Sequence, residues 1–85
     1  MAKRVEYSRD AAKALARMDR ATSKRIRSKI GRLATDPGSL ANNVKALKGS
    51  KGEMRLRVGD WRVIYTEDLI VLSVLRVSAR GSAYE

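Results

Sequence analysis

The pattern of hydrophobic and polar positions predicts one strand followed by two helices in the first half of the chain. Alternation over residues 3–7 is typical of a strand, and Ser8 is a favourable cap for the helix that follows. This helix is expected to end at about Asp19, and a second helix to cover residues 21–34. Pro37, within residues 36–39, ends the second helix because proline disfavours helical geometry in the residue before it. The helical spacing of apolar residues predicts the buried positions Ala11, Leu15, Met18, Ile26, Ile30 and Leu33.

In the second half of the chain, apolar and polar residues alternate with a period of two, which predicts three strands joined by tight turns. Residues 40–52 have weak periodicity and are interpreted as a connector. Apolar Met54, Leu56 and Val58 then alternate with charged residues up to Gly59-Asp60, a two-residue hairpin signal. The next strand covers residues 61–66 and is followed by a turn at Glu67-Asp68. The apolar run 69–77 is typical of a central strand that is covered on both faces.

These elements predict an α+β fold, in which a helical hairpin packs on one face of a small antiparallel sheet in the order β-α-α-β-β-β. The 85 residues fit a single domain over residues 1–85, since domains span about 50 to 250 residues. The sequence contains no internal repeat and no linker.

Charge is the property of the composition that changes this picture most. Nineteen Lys and Arg against nine Asp and Glu give a net charge of +10, which favours a polyanionic partner such as RNA or DNA. Simple solubility, or an acidic protein partner, would explain the same charge. The absence of cysteine excludes a disulfide framework and a thiolate nucleophile, and the absence of histidine removes the commonest metal ligand and general base. We therefore expect no metal and no cofactor.

The sequence contains no targeting or membrane segment of the usual kind. The N-terminal residues are charged and are not followed by an apolar stretch, and the longest apolar-rich run, residues 69–75, is far shorter than a membrane helix. We expect a cytoplasmic protein that does not contact the membrane.

The hairpin turn also predicts which arginines face each other. With Gly59 and Asp60 as turn residues, Arg57 lies opposite Arg62, and Arg55 lies two residues further along the same face. Like charges that face each other across two strands are destabilising, which indicates that an anion normally lies between them. The alternative is a solvated strand whose arginines only prevent aggregation. Both interpretations remain open on the residues alone.

A second set of basic residues follows the predicted helices and the connector. Its members are candidates for binding an RNA backbone without base specificity, although a solvated helix face has the same pattern. Among the aromatic residues, Trp61 and Tyr65 fall on the core face of the hairpin. Tyr84 follows Arg80 in a polar tail, where it is either a base-stacking residue or a surface tyrosine. The candidates for RNA binding are Lys24, Arg25, Lys29, Arg32, Lys48 and Lys51.

Several stretches together resemble the RelE/ParE superfamily of bacterial toxins, and in particular its RelE-like branch. They are residues 47–49, 55–65, 74–77 and 80–84, and the order of elements agrees, so the resemblance covers nearly the whole chain. It implies the toxin of a type II toxin–antitoxin pair. It further implies a metal-independent endoribonuclease that cleaves mRNA, usually in the ribosomal A site, so the implied partners are mRNA, the ribosome and a cognate antitoxin.

The resemblance also implies a set of catalytic residues. Arg55 and Arg57 fall where the branch has basic strand residues, and Arg62 matches its arginine after the hairpin turn. Arg80 and Tyr84 match the basic residue after the last strand and the tyrosine near the C-terminus. Arginines can stabilise charge on the phosphate, and a tyrosine can stack on a base or carry a proton.

The sequence departs from the branch at the positions that would supply a general base. Members of the branch often have lysine where Arg55 or Arg57 stands, and histidine where this chain has Ala79. The identity of the base therefore stays open. Two other functions remain as alternatives, namely a ParE-like inhibitor of DNA gyrase with the same fold and a basic module that binds nucleic acid without cleaving it.

Overall fold

A five-stranded sheet with a helical hairpin on one face forms the body of the protein. The computed structural model describes residues 2–47, 49 and 52–79. Its elements are β1 (Arg4–Tyr7), α1 (Arg9–Arg17), α2 (Arg20–Thr35), a 3₁₀ segment (Pro37–Asn43), β2 (Val44–Ala46), β3 (Met54–Val58), β4 (Trp61–Glu67) and β5 (Val71–Ala79). The predicted α+β class and the order of its helices and strands are confirmed.

The strands lie in the order β1-β5-β4-β3-β2, so the N-terminal strand pairs with the last described one. The β1–β5 pair is parallel, whereas the other three pairs are antiparallel. Strand β2 is an addition to the prediction, because it lies within the stretch interpreted as a connector. It has only three residues at the sheet edge, which is too short for alternation to be detected.

A side-chain cap begins each of the two helices. Ser8 Oγ accepts from the Ala11 amide at 3.0 Å and begins α1, as predicted. Asp19 was expected to end the first helix, but its carboxylate caps the second by accepting from the Thr22 amide at 3.0 Å. Hydrogen bonds from the Thr22 hydroxyl and amide lower the pKa of Asp19. None of the described helices is long and apolar enough to cross a membrane.

The core lies between the helical hairpin and the sheet. Leu15, Ile26 and Ile30 from the helices and Leu56 and Val63 from β3 and β4 are at most 2% exposed. Burial of each such side chain contributes about 1.5–3 kcal/mol relative to leaving it in water. Because successive side chains of a strand point to opposite faces, the residues between these core residues of β3 and β4 point to the other face of the sheet.

The apolar run 69–77 differs from the prediction at its start. Leu69 and Ile70 are 94% and 70% exposed, and they lie in the β4–β5 turn rather than in the strand. The carboxylate of Asp68 holds this turn by accepting from the amides of Ile70 and Val71, at 2.8 and 2.7 Å. Strand β5 then alternates, with Leu72 and Val74 buried and their neighbours partly exposed, so the expectation of cover on both faces is wrong.

Candidate functional site: arginines on the open face of the sheet

The β3–β4 hairpin places its arginines on the face of the sheet that points away from the helices. Val58 pairs with Trp61, Leu56 with Val63 and Met54 with Tyr65, which is the predicted register. Arg57 therefore lies directly opposite Arg62, and Arg55 lies opposite Ile64.

The turn that sets this register depends on one glycine. Gly59 has a φ of +58°, and no described residue other than glycine has a positive φ. A positive φ at only the first central residue is the pattern of a type II′ turn, whose twist matches that of the flanking strands. A side chain at position 59 would strain the turn and with it the register of the arginines.

A fourth arginine joins these three because of a bulge in β5. Tyr65 pairs with Val74 but Ile64 pairs with Arg76, so Leu75 is an extra residue in its strand. The extra residue reverses the alternation, which lets Val77 enter the core and turns Arg76 to the open face. Sequence reasoning missed this residue, since the bulge shows only as two adjacent apolar residues before a charged one. We call Arg55, Arg57, Arg62 and Arg76 the arginine face.

The four members of the arginine face have different surroundings. Arg57 is exposed, and its side chain makes no hydrogen bond or ion pair with any other residue in the described part of the chain. Arg55 and Arg62 are half-buried. Arg76 Nη2 lies 3.7 Å from Oε1 of Glu53, a partly exposed ion pair.

A small cavity of about 120 Å³ opens between the arginines and the hairpin turn. Three of the six residues that line it are arginines. Guanidinium groups bind phosphate oxygens with two parallel hydrogen bonds, so the cavity suits a phosphate group. Its lining residues are Arg55, Arg57, Gly59, Asp60, Trp61 and Arg62.

The predicted helix residues do not form one surface. Lys24 lines a groove of about 840 Å³ between the two helices, together with Arg20 and Arg27. The guanidinium of Arg25 instead lies beside the hairpin turn, because an ideal Cβ built on Gly59 would lie 3.5 Å from Arg25 Nη1 and 3.7 Å from its Cζ. Lys29 is half-buried and Arg32 is exposed on the same helix.

Four predicted residues lie outside the described residues: Lys48, Lys51, Arg80 and Tyr84. Their roles therefore stay predictions.

The two described tyrosines are unsuited to act as a base at neutral pH. Burial in the core, reinforced by the negative charge of Glu67, raises the pKa of Tyr65 to about 12. Partial burial also raises the pKa of Tyr7, although the positive charge of Arg27, 5.5 Å above its ring, opposes the shift. Both phenols therefore stay protonated near pH 7, and the described arginines supply positive charge rather than a proton acceptor.

Solved structures share this fold at nearly full length. A chain of the archaeal RelE–RelB complex from Pyrococcus horikoshii matches with a TM-score of 0.78 and 29% identity, over 95% of this chain and 98% of that one. A chain of the DinJ–YafQ complex from E. coli matches with a TM-score of 0.77 and 17% identity, over all of both chains. A chain of the RelBE complex from E. coli matches with a TM-score of 0.75 and 15% identity, over 94% of this chain and 98% of that one. A comparison with curated proteins gives no significant match.

A helical hairpin on a five-stranded sheet with this order of elements is the fold of RelE-like toxins. The family model of the ParE toxin of type II toxin–antitoxin systems, parDE, matches residues 5–84. The chain therefore belongs to this toxin family, and the resemblance to the RelE/ParE superfamily is confirmed.

Proposed function

We propose that this toxin is an endoribonuclease of the RelE type, which cleaves mRNA in the ribosomal A site and so inhibits translation in the cytoplasm. The observation that carries the proposal is the pairing of Arg57 with Arg62 beside Arg55, around a cavity of about 120 Å³. Two guanidinium groups in direct cross-strand contact cost stability, and a bound phosphate would offset that cost.

The proposed reaction is cleavage of RNA by its own 2′-hydroxyl. The 2′-oxygen loses its proton and bonds to phosphorus, while the bond from phosphorus to the 5′-oxygen breaks and that oxygen takes up a proton. Arg57 and Arg62 stabilise the negative charge that develops on the phosphate oxygens, in place of a metal ion. We assign Arg55 to binding and positioning the same phosphate. Arg80 and Tyr84, which the resemblance adds to the site, are the candidates for charge stabilisation and for stacking or proton transfer.

The proposed partner besides mRNA and the ribosome is a cognate antitoxin. The solved relatives from P. horikoshii and E. coli are chains of toxin–antitoxin complexes. An acidic or amphipathic antitoxin segment would be attracted by the net charge of +10 and would cover the basic surface.

Primer extension on a translated reporter mRNA, with and without ribosomes, tests the activity. We expect cuts within codons only when ribosomes are present. Arg62→Ala should remove the cuts while the far-ultraviolet circular dichroism spectrum stays unchanged. Arg4→Ala is the matched control, since Arg4 lies on the edge strand β1, away from the arginine face, and it should cut like the wild type.

A ParE-like inhibitor of DNA gyrase is the second candidate, favoured by the family model that matches the chain. It predicts no RNA cleavage and a loss of gyrase supercoiling activity when the toxin is added. Cleavage that persists in Arg62→Ala would contradict the assignment of the site. A preparation that stops growth and supercoiling but cuts no RNA would replace the proposed function by the second.

A further inference from the structure

We propose that Arg25 forms a second phosphate subsite at the β3–β4 turn, which binds a backbone phosphate of the RNA next to the one in the arginine cavity. The inference rests on the proposed function for the identity of the ligand, a single-stranded polynucleotide. The subsite is assigned to Arg25 rather than to another basic residue of α2, because the three atoms nearest the turn glycine all belong to Arg25.

The guanidinium of Arg25 lies beside the hairpin turn. Three of its atoms are the nearest ones to the position of an ideal Gly59 Cβ: Nη1 at 3.5 Å, Nη2 at 3.6 Å and Cζ at 3.7 Å. The two Nη groups are nearer than Cζ, so the terminal end of the guanidinium is directed towards the turn. Its N–H donors lie in the plane of the group, and two of them suit the oxygens of a phosphate.

The donors of Arg25 are also unused. The residue is exposed, and within residues 2–47, 49 and 52–79 its side chain forms neither a hydrogen bond nor an ion pair. Its five N–H donors are therefore available to an anion.

The subsite adjoins the arginine cavity through one shared residue. Gly59, beside which the Arg25 guanidinium lies, lines that cavity together with Asp60 and Arg57. A polynucleotide whose phosphate occupies the cavity therefore has a second cation beside it, at the end of the hairpin.

Arg17 is the matched control for this inference. It is an exposed arginine in the last turn of α1, and its side chain forms no hydrogen bond or ion pair in the described part of the chain. Replacement of either residue by alanine removes one positive charge from the helical hairpin. The atoms nearest the turn glycine belong to Arg25 and none belongs to Arg17.

Fluorescence anisotropy with a labelled 12-nucleotide RNA, 2′-O-methylated so that it cannot be cleaved, measures the dissociation constant between 50 and 300 mM KCl. Arg25→Ala should weaken binding about fivefold near 0.1 M KCl. It should also reduce the slope of log K against log salt by about 0.7, the value for one phosphate contact on a single strand. Arg17→Ala should leave the slope unchanged. Arg25→Lys should keep the slope but bind more weakly, since lysine lacks the planar group.

Cleavage kinetics give an independent measurement. A residue that binds a phosphate other than the reacting one stabilises the bound substrate and the transition state by the same amount. In the ribosome-dependent reaction, Arg25→Ala should therefore raise KM while kcat stays near the wild-type value, whereas Arg62→Ala should lower kcat.

Equal effects of Arg25→Ala and Arg17→Ala on the slope, or no binding of the RNA by the wild type, would overturn the subsite. If the wild type cleaves RNA and Arg25→Ala matches Arg17→Ala, the subsite fails and the proposed function stands. If the wild type cleaves nothing but Arg25→Ala alone changes the slope, the subsite stands and the proposed reaction fails.

Discussion

Arg57 lies opposite Arg62 across the hairpin. This pair of like charges favours the binding of an anion but lowers the stability of the folded protein. Replacement of Arg57 by glutamine keeps a polar side chain of similar length and removes the repulsion with Arg62. We expect Arg57→Gln to raise the free energy of unfolding by about 0.2–1 kcal/mol, the usual range for a cross-strand pair, and to weaken RNA binding. Urea denaturation at low salt and anisotropy measure the two effects.

The control for this substitution is Arg4→Gln on strand β1. Arg4 Nε lies 3.3 Å from a carboxylate oxygen of Glu6 in an exposed pair, so its removal brings no gain in stability. If Arg57→Gln is no more stable than Arg4→Gln, then the arginines of the hairpin do not repel each other appreciably.

Tyr65 makes the free energy of unfolding depend on pH in the alkaline range. Its pKa of about 12 exceeds the usual value of 10, so the unfolded chain loses this proton at a lower pH than the folded protein does. The contribution of Tyr65 is therefore complete below pH 10 and is lost as the pH rises from 10 to 12. The urea midpoint of the wild type should fall more steeply over this interval than that of Tyr65→Phe, which keeps the ring. Parallel curves would show that the phenol does not contribute.

At the scale of elements, Ser8 connects the start of α1 to the bulge in β5. Its hydroxyl accepts from the Ala11 amide and donates to the Leu75 carbonyl, at 3.0 and 2.6 Å. The carbonyl belongs to the extra residue of the bulge, which has lost its regular place in the ladder. One side chain therefore caps a helix and stabilises the irregularity that turns Arg76 to the arginine face.

Replacement of Ser8 by alanine should lower the free energy of unfolding by about 1–2 kcal/mol, because the helix cap and the bonded carbonyl both lose their partner. Urea denaturation measures the change. Ser28→Ala is the control: Ser28 is an exposed serine of α2 with no side-chain hydrogen bond in the described part of the chain, so its replacement should stay within about 0.5 kcal/mol. A loss no larger than that of the control would mean that water replaces both bonds.

The sequence was most informative where structure depends on neighbours along the chain. The Gly59-Asp60 signal and the alternation on either side of it predicted the hairpin register, and with it the meeting of Arg57 and Arg62. The parallel pairing of β1 with β5 was not predicted, because it joins segments more than sixty residues apart. No local pattern encodes such a pairing.

The same distinction separates the parts of the candidate site. Arg55, Arg57 and Arg62 follow from local alternation, whereas Arg76 depends on a bulge. The contact of Arg25 with Gly59 depends on how the helical hairpin docks on the sheet, which helical spacing cannot reveal. The buried Ile64 on the open face was missed for a related reason, since alternation alone predicts that side chain to be in solvent.

At the scale of the whole molecule, the net charge of +10 acts across the full width of the protein. Its extents are 30 × 28 × 24 Å. Salt screens charges over about 30 Å at 0.01 M and about 8 Å at 0.15 M, so at low salt every cation repels every other. The folded state, which brings the cations together, is then destabilised more than the unfolded chain.

We therefore expect the urea midpoint to rise between 10 and 150 mM KCl. A double variant with Lys24→Glu and Arg32→Glu, two exposed positions of α2, lowers the net charge and should flatten this dependence. A midpoint that falls with salt would indicate that attractive ion pairs outweigh the general repulsion.

The pairing of β1 with β5 has a consequence for how the protein is made. A ribosome synthesises β1 first and β5 last among the described strands, yet β5 lies between β1 and β4 and is the only strand that β1 pairs with. The nascent chain therefore cannot close its sheet, or complete the arginine face with Arg76, until the final strand has left the exit tunnel.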